Sequence, residues 1–159
     1  LKKINNINAK NLTIMKVSDL YKLVIDRFEL SLNKDDEKRF KSLLPELLKR
    51  VQVYTDLKDE FDWLFETDFY CKDINFQSQL QKNKKMLKSI ASKLTDCKWS
   101  VANIRHCLNQ YIFENSLTFK DIGPILRMAL TGKTNSPDLV SIIYELGCTI
   151  TVNRLNYKY

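Results

Sequence analysis

The chain has 159 residues, 44% hydrophobic and 28% charged, with a formal net charge of +7. That suffices for one ordinary domain or two small helical subdomains with a real core, and it excludes a mostly disordered chain. No apolar run approaches the roughly 20 residues of a membrane span, and the opening "LKKINNINAKN" lacks the apolar stretch of a signal peptide.

Only three glycines and three prolines interrupt a chain rich in Leu, Lys and Ile, so the fold class expected is all-α. The first residue is not Met, as in a piece of a longer protein. In "SDLYKLVIDRFELS" (18–31), Leu20, Leu23, Val24 and Phe28 have helical spacing, with Ser18 as the expected N-cap. "NKDDEKRFKSLL" (33–44) opens with carboxylates, which suit the positive end of a helix. Pro45 is expected at the first position of a new helix, because its ring forces the preceding residue out of helical geometry. Leu47, Leu48, Val51, Tyr54, Leu57, Phe61, Leu64 and Phe65 then predict one long amphipathic helix over 45–65.

Periodicity is lost over 66–79, the expected connection between a first subdomain at 1–70 and a second at 71–159. Leu80, Leu87, Ile90, Ala91 and Leu94 restore helical spacing over 78–96, with Lys82, Lys84, Lys85, Lys88 and Lys93 on the other face. Ser100 is positioned to cap a helix running through Ile104, Leu108 and Tyr111. The segment 118–132 reads as a lead-in and then a helix begun near Pro124 and stopped by Gly132. "NSPDLVSIIYELG" (135–147) reads as Ser136 at the N-cap, Pro137 at the first helical position, Asp138 in the first turn and Gly147 as the stop. Thr149 or Thr151 can cap a final short helix.

Cys71, Cys97, Cys107 and Cys148 form no CxxC pair, and His106 is the only histidine, so zinc spacing is absent. Four reduced, mostly buried thiols of a cytoplasmic protein are expected. A Cys107–His106 nucleophile pair is disfavoured, because adjacent helical residues point about 100° apart. Residues 1–70 hold 13 Lys/Arg and 13 Asp/Glu, whereas 71–159 hold 13 and 6, so the whole excess of +7 lies in the second half. A polyanion-facing side and a merely soluble lysine-rich surface explain that excess equally well.

Two of the three glycines and two of the three prolines fall in "GPILRMALTGKTNSPDL" (123–139). A helix, a glycine stop, a six-residue connection and a capped helix start make a compact corner around Arg127. Lys133, Thr134, Asn135 and Ser136 line it. A guanidinium, hydroxyls and helix N-terminal N–H groups together suit unstacked RNA bases. On these grounds alone, a well-capped helical hairpin without a ligand is the simpler reading.

"LRMALTGKTNSPDL", followed by Leu146-Gly147 and Arg154-Leu155, resembles the C-terminal anticodon-binding region of bacterial glutamyl-tRNA synthetases. That family shows a Leu-Arg-x-Ala-Leu-Thr-Gly signature, a Thr/Ser-Pro pair, a helix ending Leu-Gly and a late Arg-Leu. "LLPELLKRVQVYTDLKDEFDWLF", "LKKINNINAKNL" and "CKWS" are similar to other family segments in the same order, so the resemblance covers essentially the whole chain. It implies two consecutive helical subdomains forming an anticodon-binding bundle. Neither a HIGH-like nor a KMSKS-like motif occurs, so the resemblance implies the tRNA-reading portion of a larger ligase, with no catalytic residue of its own.

Residue by residue, the resemblance implies that Arg50 reads the third anticodon base and that Arg127 lies near the other two. It implies further that Ser136, Pro137 and Leu139 line the base pockets. A forked guanidinium suits the acceptor edge of cytosine, whereas guanine would present donors and greater bulk. Arg50 pairing with Asp56 or Glu46, Leu139 as core and Ser136 as a cap are the purely structural alternatives. Lys82, Lys85 and Lys133 are candidate phosphate contacts. The implied partner is tRNA-Glu, with tRNA-Gln open as a second substrate, bound by a monomer away from membranes. No cofactor or metal is expected in this segment, while the full enzyme would use ATP and magnesium. The rival readings are a helical protein- or DNA-interaction module without tRNA specificity and, more remotely, a small enzyme. Against a DNA-binding helix–turn–helix, the connection is longer than its usual three- to four-residue turn.

Overall fold

The computed structural model describes residues 16–51, 57–66, 69 and 71–157. The sequence-predicted Tyr54 and Asp56, and the "LKKINNINAKNL" segment up to residue 12, lie outside them. Among the described residues all regular structure is helical: α1 (Val17–Phe28), α2 (Lys34–Leu48), α3 (Leu57–Phe65), α4 (Ile74–Lys82), α5 (Lys84–Thr95), α6 (Val101–Glu114), α7 (Phe119–Thr131) and α8 (Leu139–Leu155). The all-α expectation holds. The chain divides into two compact units, residues 1–65 and 66–159.

The first unit is built on α1, α2 and α3. Asn33 begins α2, its side-chain oxygen accepting from the N–H groups of Asp35 and Asp36. The expected long helix over 45–65 is not formed. Pro45 lies inside α2, which ends at Leu48, and a new helix starts at Leu57. Proline inside a helix costs about 3 kcal/mol. Leu43, Leu44, Leu47 and Leu48, all buried in that same stretch, outweigh it at about 1.5–3 kcal/mol each. Helical spacing therefore continues through the proline, and Leu44 stays helical. After Leu48 the chain tightens through bonds from Arg50 N–H to Leu47 C=O and from Val51 N–H to Leu48 C=O, both three residues back. Phe40 is fully buried and meets Phe61 and Phe65 edge-on at 4.9 and 5.5 Å, which locks α2 to α3. The first helix also starts earlier than expected: α1 begins at Val17 with Lys16 before it, and no side chain caps it, so Ser18 is not an N-cap.

The second unit packs α5 and α7 against α8. Asp73 begins α4 by accepting from the N–H groups of Asn75 and Phe76 at 2.8 and 3.1 Å. The expected connection over 66–79 therefore already contains a helix start. The predicted helix over 78–96 is two helices broken at Asn83, whose side chain donates to the Gln79 carbonyl at 2.9 Å. Ser100 caps α6 as expected, accepting from Asn103 N–H. Helix α7 begins before Pro124, at Phe119, through a reciprocal cap between Thr118 and Asp121. The hydrogen bonds from the Thr118 hydroxyl and backbone N–H hold the exposed Asp121 carboxyl below its ordinary range. Gly132 stops α7 as expected, at φ 68°, with its N–H on the Met128 carbonyl.

Helix α8 carries apolar residues around most of its circumference, as a central helix must. Leu139, Val140, Ile142, Ile143 and Leu146 are all buried. Gly147 breaks its geometry at φ 78°, ψ 165°, after which the helix resumes. Thr151 does not cap that resumed part; it is buried within it, and its hydroxyl donates to the Ile143 carbonyl at 3.3 Å. The Gly147 conformation is open essentially only to glycine, yet a Cβ there would meet no atom within 4 Å. Gly147→Ala is therefore expected to cost about 1–3 kcal/mol through backbone strain alone. A thermal melt checks this, and an unchanged midpoint would contradict it.

Candidate nucleic-acid interface

The corner at 126–139 is built around Arg127. Its position on α7 aims the guanidinium across the loop that follows the Gly132 stop. Nη1 donates to the Ser136 carbonyl at 2.9 Å, to the Ser136 hydroxyl and to the Pro137 carbonyl. Thr131 secures the start of the loop. Its hydroxyl donates to the Arg127 carbonyl at 2.9 Å and accepts from Lys133 N–H at 3.3 Å. The loop is thus folded onto the arginine, and Ser136 and Pro137 turn inward and are buried.

In place of the expected Ser136 cap, Asp138 begins the helix. Ser136 does not begin α8, because its hydroxyl and carbonyl face Arg127 instead. Asp138 begins α8, accepting from the N–H and the hydroxyl of Ser141 at 2.9 and 3.0 Å. Asp and Ser are comparably good caps, and Arg127 decides between them by engaging the serine. The Asp138 carboxylate is directed into its own helix rather than left as an isolated charge beside the corner. Leu139 follows, fully buried.

Arg127, Ser136 and Pro137 therefore meet directly, and Leu139 lies below them in the core. Lys133 is half-buried on the same loop, whereas Lys82 and Lys85 are exposed at the α4–α5 break. Arg50 belongs to the first unit. Its Nε donates to Glu60 at 3.2 Å, with each side chain about 20% exposed. The Glu46 alternative is not the one adopted, since that carboxylate pairs with Lys49 at 2.5 Å. The sequence spacing does not mark Glu60 as a partner of Arg50. Ten residues along a continuous helix are about 15 Å apart; the pair forms because the chain breaks between α2 and α3.

Two further contacts had only partial signals in the sequence. Trp99 anchors the α5–α6 connection by donating from Nε1 to the Tyr144 carbonyl on α8 at 3.1 Å. The late arginine, Arg154, is 3% exposed and donates to the carbonyls of Leu130 and Glu66.

Charge also divides between the units. Residues 1–65 hold 13 Lys/Arg and 11 Asp/Glu, and 66–159 hold 13 and 8, giving +2 and +5. Lys93 spends its charge on Glu114 at 2.8 Å, tying α5 to α6. Among the described residues no cluster of three His, Cys, Asp or Glu could hold a metal ion, and no helix is long and apolar enough to cross a membrane. All four cysteines are free, but only Cys71 is buried, where most were expected to be; the other three are half-buried. Burial pushes the Cys71, Cys97 and Cys107 thiols up, away from the thiolate that nucleophilic chemistry needs.

Residues 19–158 match the anticodon binding domain family. The chain belongs to that family. This anticodon-binding domain is 28% identical to glutamate–tRNA ligase 1 of Bartonella henselae over 98% of the chain and 35% of the relative. It is 34% identical to the glutamate–tRNA ligase of Buchnera aphidicola subsp. Baizongia pistaciae over 64% of the chain and 24% of that protein. The domain thus spans about a third or less of the curated relatives it matches. In fold it is similar to a crystal structure of a glutamate tRNA ligase from Elizabethkingia meningosepticum in complex with its amino acid. The TM-score is 0.73 and the identity 14%, over 94% of this chain and 30% of that one. The resemblance read from the 126–137 motif and the all-α expectation both agree with these findings.

Proposed function

We propose that this domain reads the anticodon of tRNA-Glu for a glutamate–tRNA ligase. The observation that carries the reading is the Arg127 corner, a hydrogen-bonded loop of polar backbone and hydroxyl groups in the more basic unit of an anticodon-binding domain. Arg127 holds the loop in shape, and the buried Ser136, Pro137 and Leu139 support it from within, so that the exposed Thr134 and Asn135 are presented to unstacked bases. Arg50, steadied by Glu60, reads the third anticodon base. Reading the bases seats the acceptor end of the tRNA in the ligase's catalytic domain. Adenylation of glutamate with ATP and magnesium belongs to that domain, and this segment alone is inactive. It works as a soluble, cytoplasmic, monomeric module.

The test is binding of this chain to tRNA-Glu, tRNA-Gln, an unrelated tRNA and duplex DNA, with Arg50→Gln in parallel. Preference for tRNA-Glu that disappears in the variant is expected. Equal binding to tRNA-Glu and tRNA-Gln keeps the anticodon reading with relaxed specificity, whereas preference for duplex DNA would overturn it. Lys82 and Lys85 supply phosphate contacts in this account. Each change to Gln should make the slope of log affinity against log salt shallower by about 0.7–0.9 and leave the choice among tRNAs unchanged. A slope that does not move would remove these lysines from the interface.

A further inference from the structure

Arg154 sits at the centre of a closed cluster that the anticodon-reading chemistry does not use. Its guanidinium is almost completely buried, 3% exposed, and reaches two separate backbone segments. Nη1 donates to the carbonyl of Leu130, in the last turn of α7, where carbonyls lack helical partners. Nη2 donates to the carbonyl of Glu66 at 2.9 Å, at the start of the second unit. The same guanidinium lies 4.3 Å from the centre of the Phe69 ring, in cation–π contact. Phe69 in turn packs against Gly132, where an added Cβ would stand 3.4 Å from the ring. Gly132 is the left-handed stop from which the 132–138 loop departs.

The two carbonyl contacts favour a cation with a fork, and the ring contact favours a cation. Helix α7 presents the negative end of its dipole at Leu130, and Arg154 places a fixed positive charge there. One planar group holds the α7 terminus and the Glu66 carbonyl at a set distance, and the Phe69 ring braces Gly132. A lysine would keep the charge but could not donate in a rigid fork to both carbonyls.

We infer that Arg154 is a positioning residue for the 132–138 loop: it fixes the end of α7, and through Phe69 the Gly132 turn, so that Arg127 finds Ser136 and Pro137 in register. Its effect on RNA rests on the anticodon reading proposed above; its effect on the loop does not.

The experiment is amide hydrogen exchange on this chain, wild type, Arg154→Lys and Phe69→Leu, paired with binding to tRNA-Glu and to the same tRNA with a changed anticodon. Exchange in residues 131–138 is expected to quicken about tenfold in both variants, with the interiors of α5 and α6 unchanged. The affinity ratio between the two tRNAs should fall toward one. General destabilisation would instead weaken both RNAs together and leave the ratio intact. Phe69→Leu keeps the guanidinium, so it decides the matter should Arg154→Lys fail to fold. Unchanged loop exchange in the folded variants overturns the inference. A wild-type chain with no anticodon preference would sink the anticodon reading, while the exchange data would still decide the role of Arg154.

Discussion

Replacing Arg127 by alanine is expected to lower affinity for tRNA-Glu roughly 10- to 100-fold. The substitution removes the donor that serves the Ser136 carbonyl, the Ser136 hydroxyl and the Pro137 carbonyl. Hydrogen bonds to a charged group contribute about 1.5–3 kcal/mol, and acceptors left buried without a donor cost about 1–3 kcal/mol each. Ser136 and Pro137 are both buried, so the loop's closed form loses on both counts and opens toward water. A reading loop that is closed only part of the time binds with its affinity reduced by that fraction. Arg127→Lys should fall between wild type and alanine, because the ammonium keeps the charge and enough donors but sits one bond nearer the backbone than the Nη1 that meets all three acceptors. Binding titrations check this. Alanine binding as tightly as wild type would mean that the corner neither needs the arginine nor depends on the loop it holds.

Phe40→Ala is expected to destabilise the first unit by about 3–5 kcal/mol. Phe40 is fully buried and meets three other rings, Tyr21, Phe61 and Phe65, edge-on. A unit of this size carries about 3–10 kcal/mol in total, so the loss leaves it marginal at room temperature. The Arg50–Glu60 pair depends on α3 lying against α2, and it would be lost with the packing. Phe40→Leu should cost much less, because it keeps most of the volume. Trp63, 4% exposed and hydrogen-bonded through Nε1 to the Glu60 carbonyl, reports the change by fluorescence in a Trp99→Phe background. An unchanged Trp63 melting midpoint would show that the aromatic cluster does not hold this unit together.

Where one local rule acted alone, the sequence was a good guide. Ser100 caps α6 and Gly132 stops α7, since each position has a single strong demand. Where two rules competed, local reading failed. Pro45 and Pro124 looked like helix starts, but buried leucines and isoleucines around them outweigh the lost backbone bond and carry each helix through. Ser136 looked like a cap, and Asp138 takes that place because Arg127 claims the serine from nine residues away. Asn83 was hidden inside a continuous apolar period, and Asp73 inside a stretch without one. The residues of the corner were legible as a group, because helix, stop, loop and next helix are contiguous in sequence. Glu60 opposite Arg50, and Phe69 against Gly132 and Arg154, were not legible, because tertiary folding alone brings them together.

The most direct test of the account compares affinity for tRNA-Glu with affinity for the same tRNA carrying a replaced anticodon, at two salt concentrations. The two ligands have the same phosphate backbone and differ only in the bases to be read. Anticodon reading predicts at least about tenfold tighter binding to tRNA-Glu, with a ratio that salt leaves nearly unchanged while both affinities fall. Equal affinity for the two at both salt concentrations would contradict it and leave the domain as an electrostatic RNA surface.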